Sequence, residues 1–206
     1  MAPAGQSHWD DVYEKKAASE VSWYEPRPEK SLELIQATGL HPADPVIDVG
    51  GGASRLVDEL LAAGYRDLTV LDISASVLGR LRDRLGPRAP SVILRQQDVT
   101  AFTPERRYAV WHDRAVFHFL IAEEERQRYL DALRQGVREG GHVIMATFGP
   151  SGPERCSGLP TRRYDAKTLA AELGAGFTLV QSTLLTHRTP ANLPQQFLYC
   201  WFNRQS

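Results

Sequence analysis

Two hydrophobic periods take turns along this chain. Short β-branched runs such as Val46–Val49 and Leu68–Leu71 alternate with stretches whose apolar residues recur at helical spacing, among them Leu56, Val57, Leu60 and Leu61. The pattern predicts strands at Val46–Val49, Leu68–Asp72, Ser91–Arg95, Tyr108–Trp111 and His142–Phe148. Helices fall between them at Ser54–Ala63, Ala75–Leu85 and Ala122–Val137, the second stopped by Gly86-Pro87 and the third closed by Gly140-Gly141. Strands alternating with helices at this pace build βαβ units, hence a doubly wound, mostly parallel α/β sheet. The end of the chain departs from the rhythm. After a helix at Ala166–Leu173, strands at Phe177–Leu185 and Gln196–Phe202 are joined by a link with no room for a helix, which makes them an antiparallel hairpin.

Ahead of the first strand the chain is aromatic. Trp9, Tyr13, Trp23 and Tyr24 all fall within Ser7–Lys30, and the spacing of Trp9, Val12 and Tyr13 predicts a short helix over Trp9–Ala18. Pro26 and Pro28 break the segment, and Glu29–Ala37 reads as a second helix. The aromatic helix is an outer packing element, a lid over a ligand, or both, since large amphipathic rings close pockets well. The chain therefore reads as one domain over 1–206, with an N-terminal helical cap at 1–40 and an α/β core at 41–206.

Composition adds few constraints. A length of 206 residues is enough to bury a full sheet core, and 42% apolar with 24% charged residues is ordinary for a globular protein. A formal net charge of −1 offers no broad attraction for nucleic acid or an anionic membrane, so neither is expected as a partner. Met1–Gln6 and the residues after it lack the basic-then-apolar order of a signal peptide, and no apolar run is long enough to span a bilayer. Two cysteines, Cys156 and Cys200, make no disulfide framework; a cytoplasmic protein with reduced thiols is expected.

The chemistry concentrates where the first strand ends. Asp48-Val49-Gly50-Gly51-Gly52-Ala53-Ser54 runs from a buried strand through three glycines into a helix, a turn that a ligand can approach closely. The second strand ends in Asp72, 22 residues after Gly50, where a carboxylate can accept from both hydroxyls of a nucleotide ribose. Each acid also has a plain structural reading: Asp72 or Ser74 as a helix cap, and Asp98 as a turn former. A dinucleotide-binding oxidoreductase is the competing class, but Arg55 stands where its turn wants a third glycine, three residues after Gly52. A non-catalytic binding module of the same fold is a further alternative.

These motifs resemble those of the class I S-adenosylmethionine (SAM)-dependent methyltransferases over roughly residues 40–203. The glycine motif at Asp48–Ser54, Asp72-Ile73, Asp98-Val99, Trp111-His112-Asp113 and Gly140-Gly141-His142-Val143 follow in the family's order. The resemblance implies a seven-stranded sheet and SAM as the cofactor. It implies that Asp48, Gly50, Gly51, Gly52 and Ser54 carry the amino-acid tail. Asp72 and Ile73 would serve the ribose and purine, Asp98 and Val99 the adenine, and Trp23 of the leader would close over the cofactor.

The acceptor is less legible. Neither the Asn/Asp-Pro-Pro-Tyr motif of amide and base N-methylation nor the Pro-Cys nucleophile of cytosine methylation is present, which argues against DNA as a substrate. The aromatic leader resembles protein-lysine methyltransferases and many small bacterial ones; the segment His112–His118 departs from the lysine enzymes. A small-molecule acceptor is the expectation, with a protein lysine as the alternative. His112, Asp113 and His118 are the candidate bases at a strand's carboxyl end, although His118 also reads as packed between Phe117 and Phe119, and Asp113 as a partner of Arg114 or a turn cap. Arg155, Arg162 and Arg163 surround Cys156 in the long segment Gly149–Tyr164. With Trp9, Trp23 and Tyr24 they form a candidate cradle for an anionic acceptor. No metal site is expected from the histidine and cysteine spacing.

Overall fold

The computed structural model of the chain describes residues 5–205, so the expectations for the first four residues and Ser206 lie outside it. Nine strands and six α-helices follow in order. They are α1 (Gln6–Lys15), α2 (Glu29–Ala37), β1 (Val46–Val49), α3 (Leu56–Ala62), β2 (Leu68–Asp72), α4 (Ala75–Leu85), β3 (Val92–Gln96), β4 (Tyr108–Arg114) and α5 (Glu123–Gly136). Then come β5 (Val137–Phe148), β6 (Arg155–Cys156), β7 (Leu159–Pro160), α6 (Ala166–Leu173), β8 (Phe177–Arg188) and β9 (Pro194–Arg204).

Seven strands form one sheet in the order β3-β2-β1-β4-β5-β9-β8. β1 pairs parallel with both β2 and β4, so the strand order reverses there. Connections leave to opposite sides at that point and open a crevice at the carboxyl ends. β9 alone runs against the rest: it pairs antiparallel with β5 on one side and with β8 on the other. The hairpin read from the sequence is thus present, with its last strand inserted beside β5 and β8 at the edge.

Strand alternation divides the core. Val46, Val70, Val110 and Ile144 pack with Leu34, Ile35, Leu56, Leu60 and Leu81 from α2, α3 and α4. Their neighbours Ile47, Leu71, Trp111, Val143 and Met145 face the other way, onto Tyr129, Leu130 and Leu133 of α5 and Leu169 and Leu173 of α6. The core is a three-layer sandwich with helices on both faces of the sheet.

Three sequence expectations need correction. The leader helix ends at Lys15 and gives way to a 3₁₀ turn at Ala18–Glu20. β5 begins at Val137, five residues before the expected His142, so that Gly140-Gly141 falls inside the strand; α5 ends at Gly136, within one residue of the expected Val137, and a β-carbon on Gly136 would lie 2.8 Å from the Trp111 ring, so this glycine answers a packing need. Within Gly149–Tyr164, expected to lack regular structure, β6 and β7 pair as a small hairpin. Ser157 and Gly158 at its tip both have positive φ, as a tight two-residue turn requires.

The end of β4 is fixed by a buried polar chain. The Trp111 indole N–H donates to the Tyr129 hydroxyl at 3.0 Å, which donates to Asp113 at 2.6 Å. Asp113 also accepts the backbone N–H groups of Val116 and Phe117 at 2.9 and 3.1 Å, shaping the turn in which Ala115 takes a φ of 74°. Burial raises the Asp113 carboxyl to about 6, against the bond from Tyr129. Tyr129→Phe removes the donor that favours the ionised form, so its cost is greatest where Asp113 is charged. Urea denaturation should show a loss of about 1.5–3 kcal/mol at pH 8 and a smaller loss at pH 4.5, where the carboxyl is protonated in wild type and variant alike. Equal losses at both pH values would mean that the hydroxyl does not serve the carboxylate.

Candidate functional site

The glycine turn follows β1 directly. Gly50 leaves the strand with φ +70°, a conformation that suits glycine, and donates its N–H to the Leu71 carbonyl at 2.7 Å. Gly52 approaches β2 closely: a β-carbon there would lie 2.3 Å from Val77 and 3.0 Å from Asp72. That approach lets the Gly52 N–H donate to Asp72 Oδ2 at 3.1 Å, while the Ser74 N–H donates to Oδ1 at 3.0 Å. Asp72 is 6% exposed. Burial, with the Asp48 charge adding to it, raises its carboxyl to about 6 against these two amides. Each oxygen keeps a second lone-pair direction.

Ser74 serves both readings of this corner. Its hydroxyl oxygen accepts from the Val77 N–H as the cap of α4 and donates to Asp10 Oδ1 at 2.5 Å. The Ser74 hydroxyl is the chief reason the Asp10 carboxyl sits below its ordinary range. Helix α1 is thereby fastened to the start of α4 beside Asp72, which makes the aromatic leader a cover over the crevice.

Two recesses meet under that cover. The larger, about 870 Å³ counted out to its open mouth, runs from Asp72, Ile73, Asp98 and Val99 to Trp9, Tyr13, Trp23 and Phe119. Asp98 accepts from the Thr100 N–H and hydroxyl, both at 2.8 Å and both on Oδ1, so it forms a turn and also lines the cleft. The smaller recess is lined by Asp48, Gly51, Ser54, Tyr24, Glu25 and His112 among others. Gly50, Trp23 and Arg114 border both. Ser54 accepts from the Leu56 N–H at 3.0 Å and so starts α3 two residues later than the sequence pattern indicates.

Asp48 stands out in the smaller recess. Oδ1 pairs with His112 Nδ1 at 2.7 Å, and His112 Nε2 meets the Ser31 hydroxyl at 2.9 Å. Oδ2 is buried with no hydrogen-bond partner among the described residues. An acceptor-only oxygen in that position calls for a donor from outside the protein.

Arg114 was not singled out as a site residue from the sequence, where it was weighed only as a partner for Asp113. Its guanidinium donates to the Tyr199 hydroxyl at 2.9 Å and to the Trp23 carbonyl at 2.7 Å, pairs with Glu25 at 2.8 Å, and lies over the Phe197 ring at 4.7 Å. His187 adds a second tie, donating to the Ser22 carbonyl at 2.8 Å. These partners come from two distant parts of the chain, residues 22–25 and 197–199, and no local motif announces them. Phe119 and Glu25 escape the sequence reading for the same reason, whereas Tyr13 belongs to the aromatic leader already read as a lid.

The three candidate bases are not brought together on the cleft. His112 supports Asp48 from the smaller recess, and Asp113 fixes the turn after β4. His118 accepts the Phe148 N–H at 3.1 Å and stacks on the Phe148 ring at 4.2 Å. Burial, helped by the Arg114 charge, drives its pKa down to about 3, so it stays neutral. Nor does the cradle of arginines assemble. Arg155 donates to Gly158, Arg162 pairs with Glu172 and Arg163 with Glu154; none of the three lines either recess. Cys156 is buried 3.5 Å from the Ser22 hydroxyl, a free thiol like Cys200.

Residues 46–141 match the family described as "Methyltransferase domain". Among curated proteins, the chain is 29% identical over 145 residues to the eEF1A lysine and N-terminal methyltransferase of Danio rerio, covering 68% of this chain and 21% of that one. It is 25% identical over 150 residues to the Drosophila melanogaster homolog, covering 68% and 22%. The chain thus spans about a fifth of the length of these relatives. Their names place protein amines as acceptors, which overturns the expectation of a small-molecule acceptor. Among solved structures, the 1,6-didemethyltoxoflavin-N1-methyltransferase of Burkholderia thailandensis superposes with a TM-score of 0.70 at 22% identity, covering 98% of this chain and 84% of that one. N-methyltransferase NodS of Bradyrhizobium japonicum, in complex with S-adenosyl-L-homocysteine (SAH), does so with a TM-score of 0.71 at 17% identity, covering 96% and 98%. Among the described residues no helix is long and apolar enough to cross a membrane. Residues 46–141 thus carry a methyltransferase domain, and the chain has the fold of the solved methyltransferases it superposes on, that of the class I SAM-dependent enzymes its motifs resemble.

Proposed function

We propose that this protein transfers the methyl group of SAM to an amino group on a protein, a lysine side chain or an N-terminal amine. The observation that carries the cofactor half of this reading is the pairing of two unmet needs in adjoining recesses. Asp72 keeps free lone pairs at the rim of the larger one, and Asp48 Oδ2 lacks a donor in the smaller one. SAM fits both: its ribose hydroxyls suit Asp72, and its ammonium suits Asp48. Asp98, Ile73 and Val99 line the end that would take the adenine, and Gly50–Gly52 with Ser54 would carry the amino-acid tail.

When bound, SAM supplies a methyl already activated by a positively charged sulfur. The protein's own task is then to align the acceptor for in-line attack and to exclude water. Trp9, Trp23 and Phe119 wall the cleft beside Gly50 and Ala115 and perform the exclusion, while the Asp10–Ser74 bond holds down α1, which carries Trp9. In this reading the amine arrives neutral, having lost its proton to solvent, and no side chain need act as base. The protein-amine acceptor is supported by the names of the curated relatives.

Two measurements test this reading. Asp72 titrates near 6 in the free protein, and its ionised form is the better acceptor, so SAM affinity by calorimetry should be level above pH 7 and weaken as pH falls below about 6. Asp72→Asn should weaken binding by roughly 1.5–3 kcal/mol and flatten that pH dependence; full affinity in the variant would remove Asp72 from the site. The acceptor is read separately. Incubation with labelled SAM and a proteome fraction, followed by peptide mass spectrometry, should place methyl groups on lysine or N-terminal nitrogen. Label confined to non-protein material, with proteins left unlabelled, would overturn the amine assignment.

A further inference from the structure

We propose that Trp9, Tyr13, Trp23 and Phe119 form an aromatic box that holds the acceptor nitrogen as a methylated ammonium, and that the enzyme therefore carries its amine to the trimethyl state. This rests on the reading of an amine acceptor given above and extends it to the product. All four rings line the larger recess. Three of the ring pairs stand nearly at right angles, as walls rather than as a stack, while Trp9 and Tyr13 are tilted by 34° at 6.5 Å. Trp9 meets Phe119 at 5.0 Å and 74° and Trp23 at 5.9 Å and 79°, and Tyr13 meets Trp23 at 6.3 Å and 87°. The arrangement is held from both ends. Arg114 grips the Trp23 carbonyl, and Asp10, one residue after Trp9, is bonded to Ser74.

The charges around the box decide what it prefers. The carboxylates lining the larger recess are Asp72 and Asp98, at the nucleoside end. Glu25, in the adjoining recess, is ion-paired with Arg114, whose guanidinium borders the larger recess too and is neutralised by that pair. A cation among the rings therefore meets π faces and no free carboxylate. A primary ammonium has three N–H groups that need acceptors, and the four rings offer only the Tyr13 hydroxyl oxygen. A quaternary ammonium has no N–H, spreads its charge over methyl groups and is attracted by ring faces, most strongly where water is excluded. The box thus favours the nitrogen more with each methyl added, so the partly methylated amine is retained for the next transfer. In each transfer the nitrogen lone pair forms the new N–C bond while the C–S bond breaks and leaves its electron pair on sulfur. The first two products lose a proton to solvent before reacting again; the third has none to lose and ends the series.

The test uses the whole protein saturated with SAH, whose sulfur is uncharged, so that the box is not shared with a sulfonium. Choline and its neutral isostere 3,3-dimethyl-1-butanol are titrated in turn and followed by tryptophan fluorescence and calorimetry. Choline should bind at least tenfold more tightly, and Trp9→Leu and Phe119→Leu, each held saturated with SAH, should erase that advantage. Equal affinity for the two probes, or no choline binding, overturns the box, and this comparison in the wild type stands even if a variant fails to fold. The product is read by mass spectrometry on the methylated site: trimethylamine with little monomethyl intermediate supports the proposal, and arrest at monomethylamine overturns it. Choline preference without methyl transfer to any protein amine upholds the cation site and sinks the proposed acceptor, whereas protein-amine methylation without choline preference sinks the box alone.

Discussion

One buried carboxylate ties the parts of this molecule together. Asp72 ends β2 with almost no exposure, and it remains there because the Gly52 and Ser74 amides point at it. A buried carboxylate without such donors would be strongly disfavoured in its charged form, and here the pKa is raised even with them. The same Ser74 starts α4 and receives Asp10 from the lid helix. Glycine turn, second strand, following helix and N-terminal cover are therefore held by a single chain of hydrogen bonds, three of which end on a carboxylate.

The other half of the site depends on a second buried charge. Arg114 leaves β4 and is met by Glu25 from the leader, Tyr199 from β9 and the Trp23 carbonyl, while Phe197 supports its face. Removing one partner of such a pair leaves an uncompensated charge in a poor solvent, so the cluster defines geometry more surely than it adds stability. It also explains why β9 is inserted next to β5: that placement carries Tyr199 and Phe197 to the carboxyl end of the sheet, over the crevice opened at β1 and β4. Asp113, next to Arg114 in sequence, faces a different direction and a different task, closing the turn with Tyr129.

The sequence by itself determined the sheet and the cofactor end of the cleft. Buried parallel strands read as continuous β-branched runs, and the turn residues Gly50–Gly52, Asp72 and Asp98 sit at strand ends where topology alone assembles them. Local pattern and global position coincide there, as they do for the terminal hairpin, whose connection is too short for a crossover. Boundaries set by packing were not legible. Position 136 takes a glycine because Trp111, distant in sequence, occupies the space of a side chain, and β5 starts at Val137, ahead of the apolar run that marks it in the sequence.

Only the tertiary structure decided which polar residues are free to act. In sequence His118, Asp113 and the arginines of the 149–164 loop look as available as Asp72, since composition does not reveal partners. In the fold, Phe148 takes up His118, Tyr129 takes up Asp113, and Glu172 and Glu154 pair with Arg162 and Arg163. Conversely, Asp48 Oδ2 is left without a donor, and four rings from the leader and the segment after β4 converge on one recess. Hydrogen-bond partners and ring orientations depend on contacts between segments up to 165 residues apart, as in the bond of His187 to Ser22, and such contacts exist only once the chain has closed on itself.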